Sequence, residues 1–183
     1  MSQAGMRDFL WPIRVYWEDT DAGGIVFYAN YLKYFERART EWLRSLGIQQ
    51  RVLQEQSGGM FVVSETQVRY QRPARLDDPL IIRTQVLELG RASMVLEQQA
   101  LLFSELPTHS QSALQAEIPR KTAAESLAQN LQFNLLLNLQ ANLQSTDLAQ
   151  LPLLCQGSIR IGWVNALTLQ PARIPHPIRE AFL

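Results

Sequence analysis

The sequence predicts an α+β protein in which a short strand and one long amphipathic helix precede several strands that can form an antiparallel sheet against that helix. Three observations carry this. Leu10 to Trp17 is rich in β-branched and aromatic side chains, and the Asp- and Gly-rich stretch after it stops the run, as at the end of a strand. From about Asn30 to Leu46, Tyr31, Phe35, Ala38, Trp42 and Leu46 recur every three or four positions, while Lys33, Glu36, Arg37, Glu41 and Arg44 fall largely elsewhere around the helix. Strand-like runs separated by turn signals follow.

Gly47 supplies a C-terminal stop for the long helix, and "IQQRVLQEQS" reads as a second, shorter helical patch ending near Gly58 and Gly59. "MFVVSETQVRY" alternates, with Val63, Glu65, Gln67 and Arg69 on one side and Val62, Ser64, Thr66, Val68 and Tyr70 on the other. "PLIIRTQVLEL" and "ASMVLEQQALLF" are joined by "GR", a hairpin signal. A last strand, "CQGSIRIGWV", sets Ile159, Ile161 and Trp163 on one face. The chain reads as one domain, 1–183, without internal repeats.

Residues 104–152, between the fourth and fifth strands, are an insertion where a hairpin needs about two to five residues. It begins with the polar "SELPTHSQSALQAEIPRK". Thr122 to Glu125, "TAAE", then matches a capping box, and Leu127, Leu131, Leu135, Leu139 and Leu143 follow at every fourth position. This pattern predicts a helix over about 122–144; the alternative is a Gln/Asn-rich segment without fixed structure.

Composition removes several classes of function. Lys plus Arg and Asp plus Glu each total 17 in 183 residues, so no overall charge draws the chain to nucleic acid or an anionic membrane. No apolar run approaches the ~20 residues of a membrane span. The first residues, "MSQAGMRDFLWPIRVYW", lack the pattern of an export signal, and the single Cys155 suits a reducing compartment, so a cytoplasmic protein is expected. The two histidines, His109 and His176, sit near no nucleophile-like Ser or Cys. With one Cys and two isolated His no zinc site is expected, and no glycine-rich nucleotide motif is present. Chemistry must come from carboxylates, backbone donors and helix ends.

"EDTDAGGIVFYANY", residues 18–31, is where such parts meet. A helix N-terminus carries unpaired N–H groups that can polarise a carbonyl. Gly23 and Gly24 let the chain turn sharply and let a substrate approach the backbone. An Asp just upstream could attack that carbonyl or activate water to do so. The same residue types also make plain Asx turns, and spacing does not separate the two uses.

The run "RVYWEDTDAGGIVFYANYLKYFERARTEWLR" resembles the signature of the YbgC-like acyl-CoA thioesterases, in the 4-hydroxybenzoyl-CoA thioesterase group of hotdog-fold proteins. The likeness continues through "VRYQRPARLDDPLIIRTQV" and "GRAS" and resumes at "CQGSIRIGWVNALTLQPARIP". It implies a hotdog fold, a five-stranded antiparallel sheet wrapped around a long central helix. It implies hydrolysis of acyl-CoA without a further cofactor, coenzyme A being part of the substrate. By position, the catalytic carboxylate falls on Asp21 and the carbonyl donor on the backbone N–H of Tyr28; Asp19 and Glu18 receive no chemistry. Sites at subunit interfaces, a homodimer that pairs into a tetramer, and association with the Tol-Pal system are further implications. The chain departs from close relatives at Phe27 and Tyr28, where Tyr-His is common, so no role for that imidazole transfers. The backbone donor survives, because every residue except Pro supplies one.

The coenzyme phosphates call for cations. Arg69, Arg72, Arg75 and Arg91 fall on or near the middle strands, and Arg91 with Ser93 is the nominated phosphate contact; arginines at strand edges also serve simply to keep a sheet soluble. Two rival readings stand beside hydrolysis. One is a hydratase on the same fold, which needs a site histidine that the matching segments lack. The other is a non-catalytic acyl-thioester-binding or assembly scaffold, with the 104–152 insertion as its docking element.

Overall fold

The computed structural model describes residues 8–103 and 148–182. The expected helix at 122–144 lies outside them. Five strands, β1 (Phe9–Arg14), β2 (Gly59–Tyr70), β3 (Pro79–Leu89), β4 (Ser93–Leu102) and β5 (Leu153–Asn165), form one antiparallel sheet in the order β1-β3-β4-β5-β2. Three named helices accompany it among the described residues: α1 (Asn30–Ser45), α2 (Gln50–Ser57) and a short α3 (His176–Glu180).

α1 forms where the apolar period predicts it. Tyr31, Tyr34, Phe35, Ala38, Trp42 and Leu43 are buried, and the helix ends at Gly47, whose φ of +77° only glycine adopts without strain. The helix settles on the sheet because Gly157 of β5 has no side chain: a Cβ there would stand 2.8 Å from the Phe35 ring. The Phe35 ring takes that space, and Leu96, Ile159, Ile161, Ile82 and Trp163 close around the helix to complete the main core. On the opposite face a smaller cluster, Leu10, Ile81 and Leu101, is covered by Leu148 and Leu151, which lie between β4 and β5 in sequence.

Several sequence expectations change. β1 stops at Arg14 rather than Trp17, because Trp17–Asp19 form a 3₁₀ turn in which the Asp19 N–H donates to the Tyr16 carbonyl. The β3–β4 connection takes three residues, Gly90 to Ala92, with the Gly90 N–H donating to the Ser93 carbonyl at 2.8 Å. The alternation in β2 is broken by a bulge: Val63 lies opposite Ile161, and the next paired residue is Glu65, opposite Arg160. Val63 therefore leaves the side of Glu65, Gln67 and Arg69 and joins Thr66 and Val68 on the face toward α1.

Candidate active site

The acidic stretch becomes a loop sewn to itself and to the turn before β3. Thr20 bridges Val26, the Asp21 N–H donates to the Ile25 carbonyl at 2.9 Å, and the Val26 N–H donates to the Ala74 carbonyl at 2.9 Å. Inside the loop the Asp21 carboxylate accepts the Gly23 N–H at 2.8 Å, and the Asp21 carbonyl accepts the Gly24 N–H at 2.9 Å. Gly24 needs its glycine, since φ there is +70°. Asp21 is thus held by an Asx turn through one oxygen and remains exposed. The turn and a chemical role are compatible: the turn aims the carboxylate and leaves its second oxygen available.

Asp19, two residues away, is used differently. It is 3 % exposed, its carboxylate accepts the Tyr16 N–H at 2.9 Å, and its carbonyl accepts both the Phe27 N–H and the Asn30 side-chain amide, each at 2.9 Å. The buried Tyr34 hydroxyl lies against the Asp19 carboxylate without a well-aligned partner of its own. Burial first, then the Asp19 charge, pushes its ionisation far above the ordinary phenol range, so it stays neutral. Asp19, Asn30 and Tyr34 were not among the sequence candidates. Asn30 and Tyr34 were legible as polar atoms on a helix start and an apolar stripe, whereas nothing local distinguishes Asp19 from Asp21.

These bonds leave a gap at the start of α1. The Phe27 N–H is taken by Asp19 and the Asn30 N–H by the Phe27 carbonyl, while the Tyr28 N–H has no acceptor among the described residues. Tyr28 is 62 % exposed. Its ring belongs to an aromatic wall: Phe27 lies 4.5 Å from Tyr28, Tyr28 lies 6.2 Å from Tyr70, and Tyr70 lies 5.8 Å from Tyr31, between ring centroids. Tyr31 is locked from below, its hydroxyl accepting the Ala74 N–H at 3.0 Å. An open carboxylate and an open N–H thus stand on the two arms of one loop beside an apolar wall. That arrangement can seat a carbonyl and attack it or activate water beside it.

Hydrogen bonds join Asp21, Gly23 and Gly24 in one turn, Tyr28 follows on the other arm of the same loop, and Arg91 and Ser93 lie apart from them. The acidic loop sits at the β3 start, where Ile25 bridges Arg75. Arg91 and Ser93 flank the far end of β3, roughly 30 Å away along the strand at ~3.3 Å per residue. There the Arg91 carbonyl accepts the Ile174 N–H. Of the four arginines singled out, Arg75 is the one whose backbone meets the loop. Cys155 is buried, and burial pushes its thiol up to about 12, so it is no nucleophile near neutral pH.

An antiparallel sheet wrapped on one long helix, with a carboxylate-bearing loop at the helix start, defines a hotdog thioesterase. The thioesterase superfamily model matches residues 23–102. The chain is 47 % identical over 93 residues to the acyl-CoA thioesterase YbgC of Haemophilus influenzae, covering 51 % of this chain and 68 % of that protein. It is 46 % identical over 114 residues to the acyl-CoA thioesterase YbgC of Helicobacter pylori, covering 62 % and 78 %. Among solved structures, a probable thioesterase from Bartonella henselae superposes with a TM-score of 0.63 at 25 % identity, over 92 % of this chain and all of that one (100 %). The chain belongs to the YbgC-like family of hotdog thioester hydrolases.

Proposed function

We propose that the protein hydrolyses acyl-coenzyme A thioesters, with the Asp21 carboxylate as nucleophile or general base and the Tyr28 N–H polarising the thioester carbonyl. The observation that carries this reading is the loop itself. Asp21 is aimed by the Gly23 N–H at 2.8 Å, while the Tyr28 N–H at the helix start is left unpaired among the described residues. A thioester carbonyl has little resonance stabilisation, so a carboxylate and one aimed donor suffice to open it. The names of the YbgC relatives support coenzyme A as the carrier.

Exposure of Asp21, Phe27, Tyr28 and Tyr70 in a single protomer supports a site completed by a second copy. Among the described residues β2 is an edge strand of 12 residues with one side unpaired, which supports pairing of protomers into a dimer and then a tetramer. In such an assembly Arg91 and Ser93 would serve a neighbour's substrate, since they are remote from the acidic loop of their own chain. A cytoplasmic location is supported by the single thiol, and a Tol-Pal association by the family resemblance alone. Among the described residues no helix is long and apolar enough to cross a membrane.

The test is hydrolysis across short, medium, long and aromatic acyl-CoAs by wild type and Asp21→Ala. At least one thioester should turn over, and the variant should lose ~10²-fold or more with its fold and oligomeric state unchanged. Equal turnover by the variant, or none by either, would return the loop to a purely structural role and favour the binding scaffold.

A further inference from the structure

A cleft of about 450 Å³ between α1 and the β2–β5 edge is not used by the carbonyl-binding geometry. Leu32, Val63 and Ile159 line it with apolar surface, Lys33, Arg37 and Arg39 bring three cations, and Glu36 brings one carboxylate. Glu36 is occupied by the Thr40 hydroxyl at 2.8 Å. None of the three cations is in an ion pair among the described residues. Arg39 is held by the Gln98 side-chain oxygen at 2.8 Å, and burial lowers its pKa, the sign of a poorly solvated charge. An apolar cleft with an excess of cations, one of them desolvated, is complementary to an anion at the end of an apolar chain.

Its place on the helix says which anion. Leu32 and Glu36, four apart, lie along one stripe of α1 that faces the cleft, and α1 begins two residues after Tyr28. At 1.5 Å per residue, Lys33 and Arg37 sit about 5 and 11 Å along the axis from Asn30, the first residue of α1. A thioester seated with its carbonyl on the Tyr28 N–H would run one arm along this stripe, and the cations lie within reach of a medium-length acyl chain. We infer that the acyl group carries a distal carboxylate, the preferred substrates being medium-chain ω-carboxyacyl thioesters recognised by Lys33, Arg37 and Arg39. This rests on the hydrolase reading above and adds the substrate class.

The experiment compares wild type with the Lys33→Gln/Arg37→Gln variant, both positions being exposed so that the fold should persist. Calorimetric titration at low salt uses octanoate, its neutral counterpart octanamide and free coenzyme A, and turnover uses the mono-coenzyme A thioester of octanedioate and the coenzyme A thioester of octanoate. Octanoate should bind wild type ~10-fold or more tighter than octanamide, as expected for a hydrogen-bonded charge, and the variant should lose most of that ratio. The ratio of kcat/KM for the two thioesters should move in parallel. Equal affinity of wild type for octanoate and octanamide would overturn the inference. So would a variant that loses coenzyme A but keeps octanoate, since the cations would then serve the coenzyme phosphates. Binding is read without turnover, so a failed hydrolase reading would show separately as absent hydrolysis of every thioester.

Discussion

Two polar clusters lie against α1, and they are completed to different degrees. Under the middle of the helix, Gln98 is fully buried at 0 % exposure and wholly satisfied. Its oxygen accepts from Arg39 at 2.8 Å, and its amide donates to the Phe35 carbonyl at 3.0 Å and to the Thr84 hydroxyl at 2.9 Å. At the start of the helix, Asp19 is equally well used, but Asp21 keeps one oxygen open and the Tyr28 N–H keeps no partner among the described residues. A completed network in low dielectric rigidifies the packing around it. A donor left unpaired at an exposed loop costs little and remains available to a substrate carbonyl, which is how preorganised donors accelerate acyl transfer.

The sharpest way to break this contrast is to remove the open donor. Tyr28→Pro should lower kcat by ~10²- to 10³-fold, whereas Tyr28→Ala, which keeps the N–H, should fall far less. Equal losses would make the ring, not the N–H, the working part, and thermal unfolding of both variants would show whether Pro merely damages the helix start. The next largest effect belongs to the completed cluster. Gln98→Ala leaves Arg39, Thr84 and a helix carbonyl without their partner and should cost about 2–3 kcal/mol in urea unfolding. If the variant lost turnover but no stability, Gln98 would belong to the site after all.

Asp19→Asn keeps an acceptor for the Tyr16 N–H but weakens it, and should cost about 1 kcal/mol with a smaller loss of turnover than Asp21→Ala. A larger loss than at Asp21 would exchange the roles assigned to the two residues. The smallest effect concerns Cys155. Its thiol is raised by burial from 9.0 to about 12, so the unfolded chain gives up that proton first. Its share of stability is complete below about pH 9 and is lost as pH rises toward 12. Thermal unfolding across that window should fall less steeply for Cys155→Ala, and a thiol reagent at pH 8 should label the wild type only in denaturant.

What the sequence disclosed was local. The repeat of Tyr31, Phe35, Ala38 and Trp42 announced α1, Gly47 and Gly58 marked helix ends, and the runs around Ile81, Leu96 and Ile159 announced strands. The Asp21 to Gly24 turn was legible as a turn, and the family resemblance singled out Asp21 within it. A polar residue at a core-facing position of β4, between Leu96 and Ala100, was a visible signal for Gln98 that the strand reading passed over.

The rest depended on pairings between distant residues. The β2 bulge at Ser64 moves Val63 to the helix face, and no periodicity within β2 reveals it, because the register is set against β5. Arg91 and Ser93 follow a strand that carries them away from the acidic loop, although a run of arginines in sequence suggested one patch. Asp19 and Asp21 are chemically identical and two residues apart; the fold buries one beneath Tyr34 and leaves the other exposed. Helix period, turn chemistry and residue type are properties of neighbouring atoms along the chain, and the sequence by itself determined them. Burial, register and the partners of the buried polar groups arise when segments distant along the chain are brought into contact, as Arg39 and Gln98 are across 59 residues, and those the tertiary structure decided.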